Sequence, residues 1–234
     1  MKSRIMMSVL VIALAAALIA GATAAWFTAE TDLPTAEFKA GTVVISVDED
    51  GPTYATAECK SFKNVNPGDC GRVTWEIINE GTKKIELRVK LSELWIVGEE
   101  EEELSTDNFF YAPAPGSDWV MYEDEDGIWL YYTGGSVAGT FNPDGDLFDP
   151  VSVELPLIVA FDGPDTGNEY QGREFELSGL VEAVQASNGA PNAVWGDVWS
   201  EVNAEDYDPS GLAGDYLAYI QETPCWDVGE ETPR

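Results

Sequence analysis

Asn142, Asp144, Asp146 and Asp149 place hard oxygen donors within one short stretch, the ligand type that calcium takes. The spacing is not that of an EF-hand loop, because Leu147 stands where the turn glycine is needed. The stretch reads first as an acidic turn facing water, with Asp144, Asp146 and Asp149 kept as weak calcium candidates. Asp48-Glu49-Asp50-Gly51 and Asp124-Glu125-Asp126-Gly127 repeat the same chemistry in shorter form. Nucleophilic catalysis lacks its base, since the chain contains no histidine and therefore neither a Ser-His-Asp nor a Cys-His pair. Gly134-Gly135-Ser136-Val137-Ala138-Gly139 lacks the Gly-x-Ser-x-Gly spacing of a nucleophile elbow and reads as a hairpin turn. Paired carboxylates can hydrolyse glycosides, but among 43 acidic residues any one pair is uninformative. The expectation is a protein that is not an enzyme and carries no cofactor beyond a candidate calcium ion.

Three cysteines remain to be placed. Cys59 and Cys70 flank a short loop whose Asn64, Asn66, Pro67 and Gly68 are turn formers, and they are the expected disulfide. Cys225, between Pro224 and Trp226, is then left over, either in a docked tail or as a free or intermolecular thiol. Zinc has neither a CxxC pair nor a histidine to bind. The charge balance, 12 basic against 43 acidic residues, excludes nucleic acid and anionic lipid as partners, because a polyphosphate surface would repel this chain. The eight tryptophans mostly share the periodicity of apolar neighbours, so core packing is expected of them.

These residues need a scaffold, and the chain opens with a segment that precedes it. Lys2 and Arg4 lead into an apolar run from Val9 to Ala20, followed by the small residues Gly21 to Ala25. That profile predicts a signal peptide over 1–25, cleaved after Ala25, and an extracellular or cell-surface protein. Ile5 to Ala25 is also about long enough to cross a bilayer, at roughly 20 residues. The alanine-rich exit favours cleavage, which leaves no stable membrane anchor. Residues 26–234 are then expected to form a single domain.

Alternation dominates that domain. Val73, Trp75 and Ile77 share one face of a predicted strand; Ile85, Leu87, Val89 and Leu91 share one face of the next. Asn79-Glu80-Gly81-Thr82 lies between, and the pair reads as a hairpin. A second hairpin is predicted around Glu123-Asp124-Glu125-Asp126-Gly127. Val151 to Phe161 alternates around Pro156, which implies a sheet edge or a bulge there, and Glu174 to Ala186 reads as one long strand. After Asn188 the period becomes helical, through Val194, Trp195, Val198, Trp199 and Val202 and again through Leu212, Tyr216, Leu217 and Ile220, predicting short helices over one end. Many strands and few helices give an all-β fold, a β-sandwich.

Several of these segments, in this order, resemble the TasA/camelysin family of exported β-sandwich proteins that build bacterial biofilm-matrix fibres, with related archaeal pilus subunits. The exit Gly21-Ala22-Thr23-Ala24-Ala25-Trp26-Phe27 is similar to signals served by a SipW-type peptidase. Phe38-Lys39-Ala40-Gly41-Thr42-Val43-Val44-Ile45 resembles the family's Phe-x-Ala-Gly-Thr element. Asn66-Pro67-Gly68-Asp69, Asn79-Glu80-Gly81-Thr82 and Val181-Glu182-Ala183-Val184-Gln185-Ala186 match later ones. The resemblance implies a jelly-roll-like subunit that polymerises with identical copies by donor-strand exchange. Trp26 to Val47 would be the donor segment, with Phe38, Val43, Ile45 and Val47 as anchors. The family's association with metalloprotease activity does not carry over, for want of histidine ligands. The alternative is a monomeric cell-surface or glycan-binding module that uses exposed aromatic side chains.

Overall fold

The computed structural model describes residues 28–33, 38–40, 43–48, 53–56, 67–97, 103–140, 148–204, 206–208 and 214–226. The strands are β1 (Thr28–Leu33), β2 (Phe38–Ala40), β3 (Val43–Val47), β4 (Thr53–Thr56), β5 (Cys70–Asn79), β6 (Ile85–Ile96), β7 (Phe109–Pro113), β8 (Trp119–Asp124), β9 (Gly127–Tyr132), β10 (Val151–Phe161) and β11 (Glu174–Gln185). The helices are α1 (Ala190–Trp195), α2 (Val198–Val202) and α3 (Gly214–Gln221). One sheet runs β1-β11-β6-β9-β8; the other runs β2-β3-β5-β10-β7, with β4 also on β5. All these pairings are antiparallel. The chain moves back and forth between the two sheets, and the core lies between them, so the fold is the expected β-sandwich with jelly-roll-like winding.

Period-two patterning explains which faces meet. On β5, Val73, Trp75 and Ile77 are buried while Glu76 is exposed. On β6, Ile85, Leu87, Val89 and Leu91 are buried, and they join the same cluster as Leu155, Leu157 and Val159 of β10 and Val181 and Ala183 of β11. Successive side chains of a strand point to opposite faces, so each alternating strand presents one apolar row to the shared interior. The predicted β8–β9 hairpin forms around Glu125 and Asp126, with Asp124 paired to Gly127. Its turn is held by the Asp126 amide donating to Asp124 Oδ1 at 2.8 Å, and Gly127, at φ 114°, supplies a backbone conformation unfavourable to other residues.

The expected hairpin between β5 and β6 does not form, because the two strands belong to different sheets. Asn79-Glu80-Gly81-Thr82 is instead an arch across the sandwich. Two amphipathic strands that bury the same core can lie side by side or face to face, and period-two spacing is identical in both cases. Gly134 to Gly139 is likewise not a hairpin turn; it runs beside the start of β6, bridged at Ile85 and Val137.

Pro156 sits inside β10 without a lost hydrogen bond. β7 pairs with β10 only from Leu157 to Phe161, and the Pro156 carbonyl accepts from the Ala114 amide at 2.8 Å, so the ring nitrogen faces the side where the ladder has ended. β3 and β4 share one edge of β5, opposite Ile77–Asn79 and Gly71–Thr74. They behave as one strand interrupted between Asp48 and Thr53.

The helices do not cover one end, as predicted, but the outer faces of both sheets. Trp195 and Val202 of α1 and α2 pack with Trp129, Tyr131 and Val184, which point away from the main core, to form a second, smaller core. α3 lies on β7 and β10 of the other sheet. Cys225, just beyond α3, is bonded to Cys70. This corrects the expected Cys59–Cys70 pairing. Turn-forming residues between Cys59 and Cys70 made a local loop plausible, whereas helix docking brings the chain's far end onto the first residue of β5. Cys59 lies outside the described residues.

Candidate functional site: the N-terminal strands and the seam they border

β1 is attached to its sheet by one ladder, with Thr28 opposite Val184 and Leu33 opposite Gly179. The chain then crosses to the other sheet, where β2 and β3 form a tight hairpin with Phe38 opposite Ile45 and Ala40 opposite Val43. These N-terminal strands therefore border both sheets along one side of the sandwich, and β1 lies beside β2 and β3 across the seam. Of the expected donor anchors, Val43 and Ile45 are fully buried and Val47 nearly so, within the chain's own core.

The arch after β5 clasps this region. The amides of Glu80 and Gly81 both donate to the Val44 carbonyl, at 3.0 and 3.1 Å, and Ser46 Oγ donates to Glu80 Oε1 at 3.0 Å. Asn79 shapes the arch from inside. Its Nδ2 lies within donating distance of the carbonyls of Lys83, Val137 and Ala138, and its Oδ1 accepts from the Gly81 amide at 3.0 Å. Gly139 presses on the same turn, where a Cβ would fall 2.5 Å from the Thr82 carbonyl carbon. The Asn-x-Gly-Thr motif thus has a physical role beyond turning the chain: a buried carboxamide aligns the backbone that holds β3.

Beyond Gly179, Glu174 to Ser178 of β11 pair with β6 on one side, and no described strand pairs with them on the other. Beside this open edge lies a cavity of about 850 Å³ between the sheets, lined by Val73 and Trp75 of β5, Phe109, Val159, and Phe175 and Leu177 of β11. Thr166, Asn168 and Gln171, from the loop before β11, also line it. Phe161 and Phe175 pack on each other and on Trp95, and Phe109 packs on both phenylalanines, with centroids 4.5 to 5.7 Å apart. The slot is apolar on its sheet side and polar along the run that carries Thr166, Asn168, Gln171, Arg173 and Glu174, and beside a strand edge with no described partner it can receive an extended segment.

Of the sequence-predicted metal residues only Asp149 is described. Asp144 and Asp146 lie outside the described residues, and Asp149 is exposed in the coil before β10. Among the described residues no group of three Cys, Asp or Glu is placed to hold a metal ion. With no histidine anywhere in the chain, the residues present do not fit a zinc-peptidase centre. Ser136, the residue inspected as a nucleophile, donates to Glu86 Oε1 at 2.6 Å. Burial raises the Glu86 carboxyl above its ordinary range, and the Ser136 bond partly offsets this. None of the described tryptophans is exposed, so none of them offers a ring platform to water. No described helix is long and apolar enough to cross a membrane.

Sequence reasoning missed the Arg88 cluster on the outer face of β6. The guanidinium stacks 3.8 Å from the Trp129 ring centroid and 5.2 Å from that of Trp195. Its Nε pairs with Glu182 at 2.6 Å, and Nη1 donates to the Tyr131 hydroxyl at 3.1 Å. The signal was available only as an arginine among alternating polar residues, which ordinarily face water.

Residues 1–110 match the family model described as camelysin metallo-endopeptidase. The matched region covers β1 to β6, including the arch motif, and ends at the second residue of β7. No curated protein and no solved structure matches the chain.

Proposed function

We propose, from the match of residues 1–110 to the camelysin family model, that this chain is an exported structural subunit of the TasA/camelysin kind that polymerises into extracellular filaments. Residues 1–25 are the leader removed by a SipW-type peptidase, and 26–47 form the donor segment that completes the sandwich of the next copy. The supporting observation is the attachment of β1, whose ladder to β11 ends at Leu33 opposite Gly179, beside a strand edge with no described partner and a slot with apolar and polar walls. Exchanging this segment between copies breaks and remakes the same pairings, so little free energy separates the closed monomer from the linked chain. Val43, Ile45 and Val47 would fill in the neighbour the places they fill at home. Each contact is head to tail and need not close, so the product is an open fibre.

Electron microscopy of the mature protein tests this. Filaments are expected from residues 26–234 and none from a chain lacking 26–47, with growth restored when a peptide covering 26–47 is fused to the C-terminus. Filaments from the truncated chain would reject the donor assignment, and no filaments from the intact chain under any salt condition would reject polymerisation itself.

A further inference from the structure

On the sheet containing β5, β10 and β7, the side turned away from the main core is apolar. By register, Ala160 lies between Cys70 and Phe110, and Ile158 lies between Arg72 and Ala112. These outward positions should face water, yet Ala112, Ile158 and Ala160 are at most 1% exposed. Their cover is α3. Tyr219 stacks on Phe110 at 4.5 Å, and its hydroxyl donates to the Phe161 carbonyl at 3.4 Å. Leu217 and Ile220, one helical turn apart, supply the buried face, while Ala218 and Gln221 remain exposed.

Besides the disulfide, the described ties of this cover to the sheet are side-chain packing and the Tyr219 hydroxyl bond. α3 has eight residues, too few to be stable as a helix by itself. Main-chain amides that follow it bond back into the same segment: Glu222 to Ala218, Thr223 to Ile220, and Trp226 to Thr223. The Cys70–Cys225 bond spans 155 residues of sequence and ends on the very row that α3 covers.

We propose that residues 214–226 form a redox-controlled strap: oxidised, it is tied over the Phe110–Ala112–Ile158–Ala160 face; reduced, it leaves that face while the sandwich stays folded. Closure transfers two electrons and two protons from the Cys70 and Cys225 thiols to an external disulfide, which becomes two thiols. Opening is the reverse exchange with an external dithiol. Because the tie joins the start of β5 to Cys225, it can close only after residue 225 has reached an oxidising compartment, which rests on the proposed export. The apolar face is therefore open in the newly made chain and sealed in the exported one.

Hydrogen exchange on the full chain, oxidised and then reduced with excess dithiothreitol, tests the strap. Alkylation should report one thiol before reduction and three after it. Reduction is expected to speed exchange of the 215–226 amides by roughly ten-fold or more, with β5, β10 and β11 unchanged, and to raise binding of an apolar fluorescent dye. A Cys59→Ser/Cys70→Ala/Cys225→Ala variant should match the reduced protein. Retained protection at 215–226 after reduction would overturn the proposal, since packing alone would then hold the helix. Equal loss of protection in β5 and β10, or a variant that fails to fold, would also overturn it, by making the bond a staple of the whole sandwich.

Discussion

The Arg88 guanidinium lies 3.8 Å from the centroid of the Trp129 ring, on a sheet face otherwise turned away from the main core. With Trp195 also near it and Glu182 neutralising it, the cation is the centre of the smaller core rather than a solvated surface charge. Arg88→Ala removes the stacking and strands a mostly buried carboxylate, at an expected cost of roughly 2–4 kcal/mol. Glu182→Gln should cost less, because the aromatic stack survives. Denaturant unfolding of both variants checks the order, and an Arg88→Ala loss below that of Glu182→Gln would assign the burial to Glu182 instead.

Asn79 faces three carbonyls with one amide group, so Asn79→Asp replaces the donor with a charge of the wrong sign. A cost of roughly 2–4 kcal/mol is expected near neutral pH. The introduced carboxyl is better tolerated when protonated, so its folded-state pKa is raised and the variant should recover stability as pH falls. Thermal unfolding across pH measures this. A pH-independent deficit would mean that the arch has rearranged around the aspartate.

Glu93 lies on the row of β6 that faces the core, between Leu91 and Trp95, and burial raises its carboxyl above the ordinary value of 4.5. Its charge adds to burial in pushing the Tyr111 hydroxyl up. Above about pH 4.5 the unfolded chain has released this proton while the folded chain still holds it. Stability therefore falls as pH rises through the interval between the two pKa values, then levels off. Glu93→Gln should be more stable than the parent at pH 7, with the difference vanishing by pH 4. A variant less stable than the parent at pH 7 would show that the carboxylate has a compensating partner.

The full chain has a formal charge of −31, and filament subunits that have lost Lys2 and Arg4 with the leader are two charges more negative, so they repel over a Debye length of roughly 8 Å at physiological ionic strength. Assembly followed by light scattering should accelerate with sodium chloride. At matched ionic strength calcium chloride should do no better, because none of the acidic loops carries a full calcium-ligand pattern in its sequence. A clear calcium advantage would restore Asp144, Asp146 and Asp149 as ligands.

Much of the sandwich was legible in the sequence because strand periodicity is a local property. The alternation of Val73, Trp75 and Ile77, and of Ile85, Leu87, Val89 and Leu91, identified both strands and their buried faces. It could not say whether the strands lie in one sheet or in two, since both arrangements satisfy the same pattern. The two strands lie in different sheets, and the carboxamide of Asn79, bonding to carbonyls at 83, 137 and 138, shapes the arch that stands where the hairpin was expected.

By itself the sequence determined the all-β class, the acidic surface, the absence of a histidine-based catalytic or zinc centre, and the membership of Val43, Ile45 and Val47 in a buried strand. The tertiary structure decided which distant residues meet. Cys70 bonds to Cys225 and not to a nearby cysteine, Arg88 is enclosed by tryptophans from two separate segments, and β1 ends beside a stretch of β11 that no described strand pairs on that side. Composition and periodicity report how each segment divides between water and core. Contacts between segments depend on how the sheets stack and which outer faces the helices cover, and that is settled only when the whole chain packs.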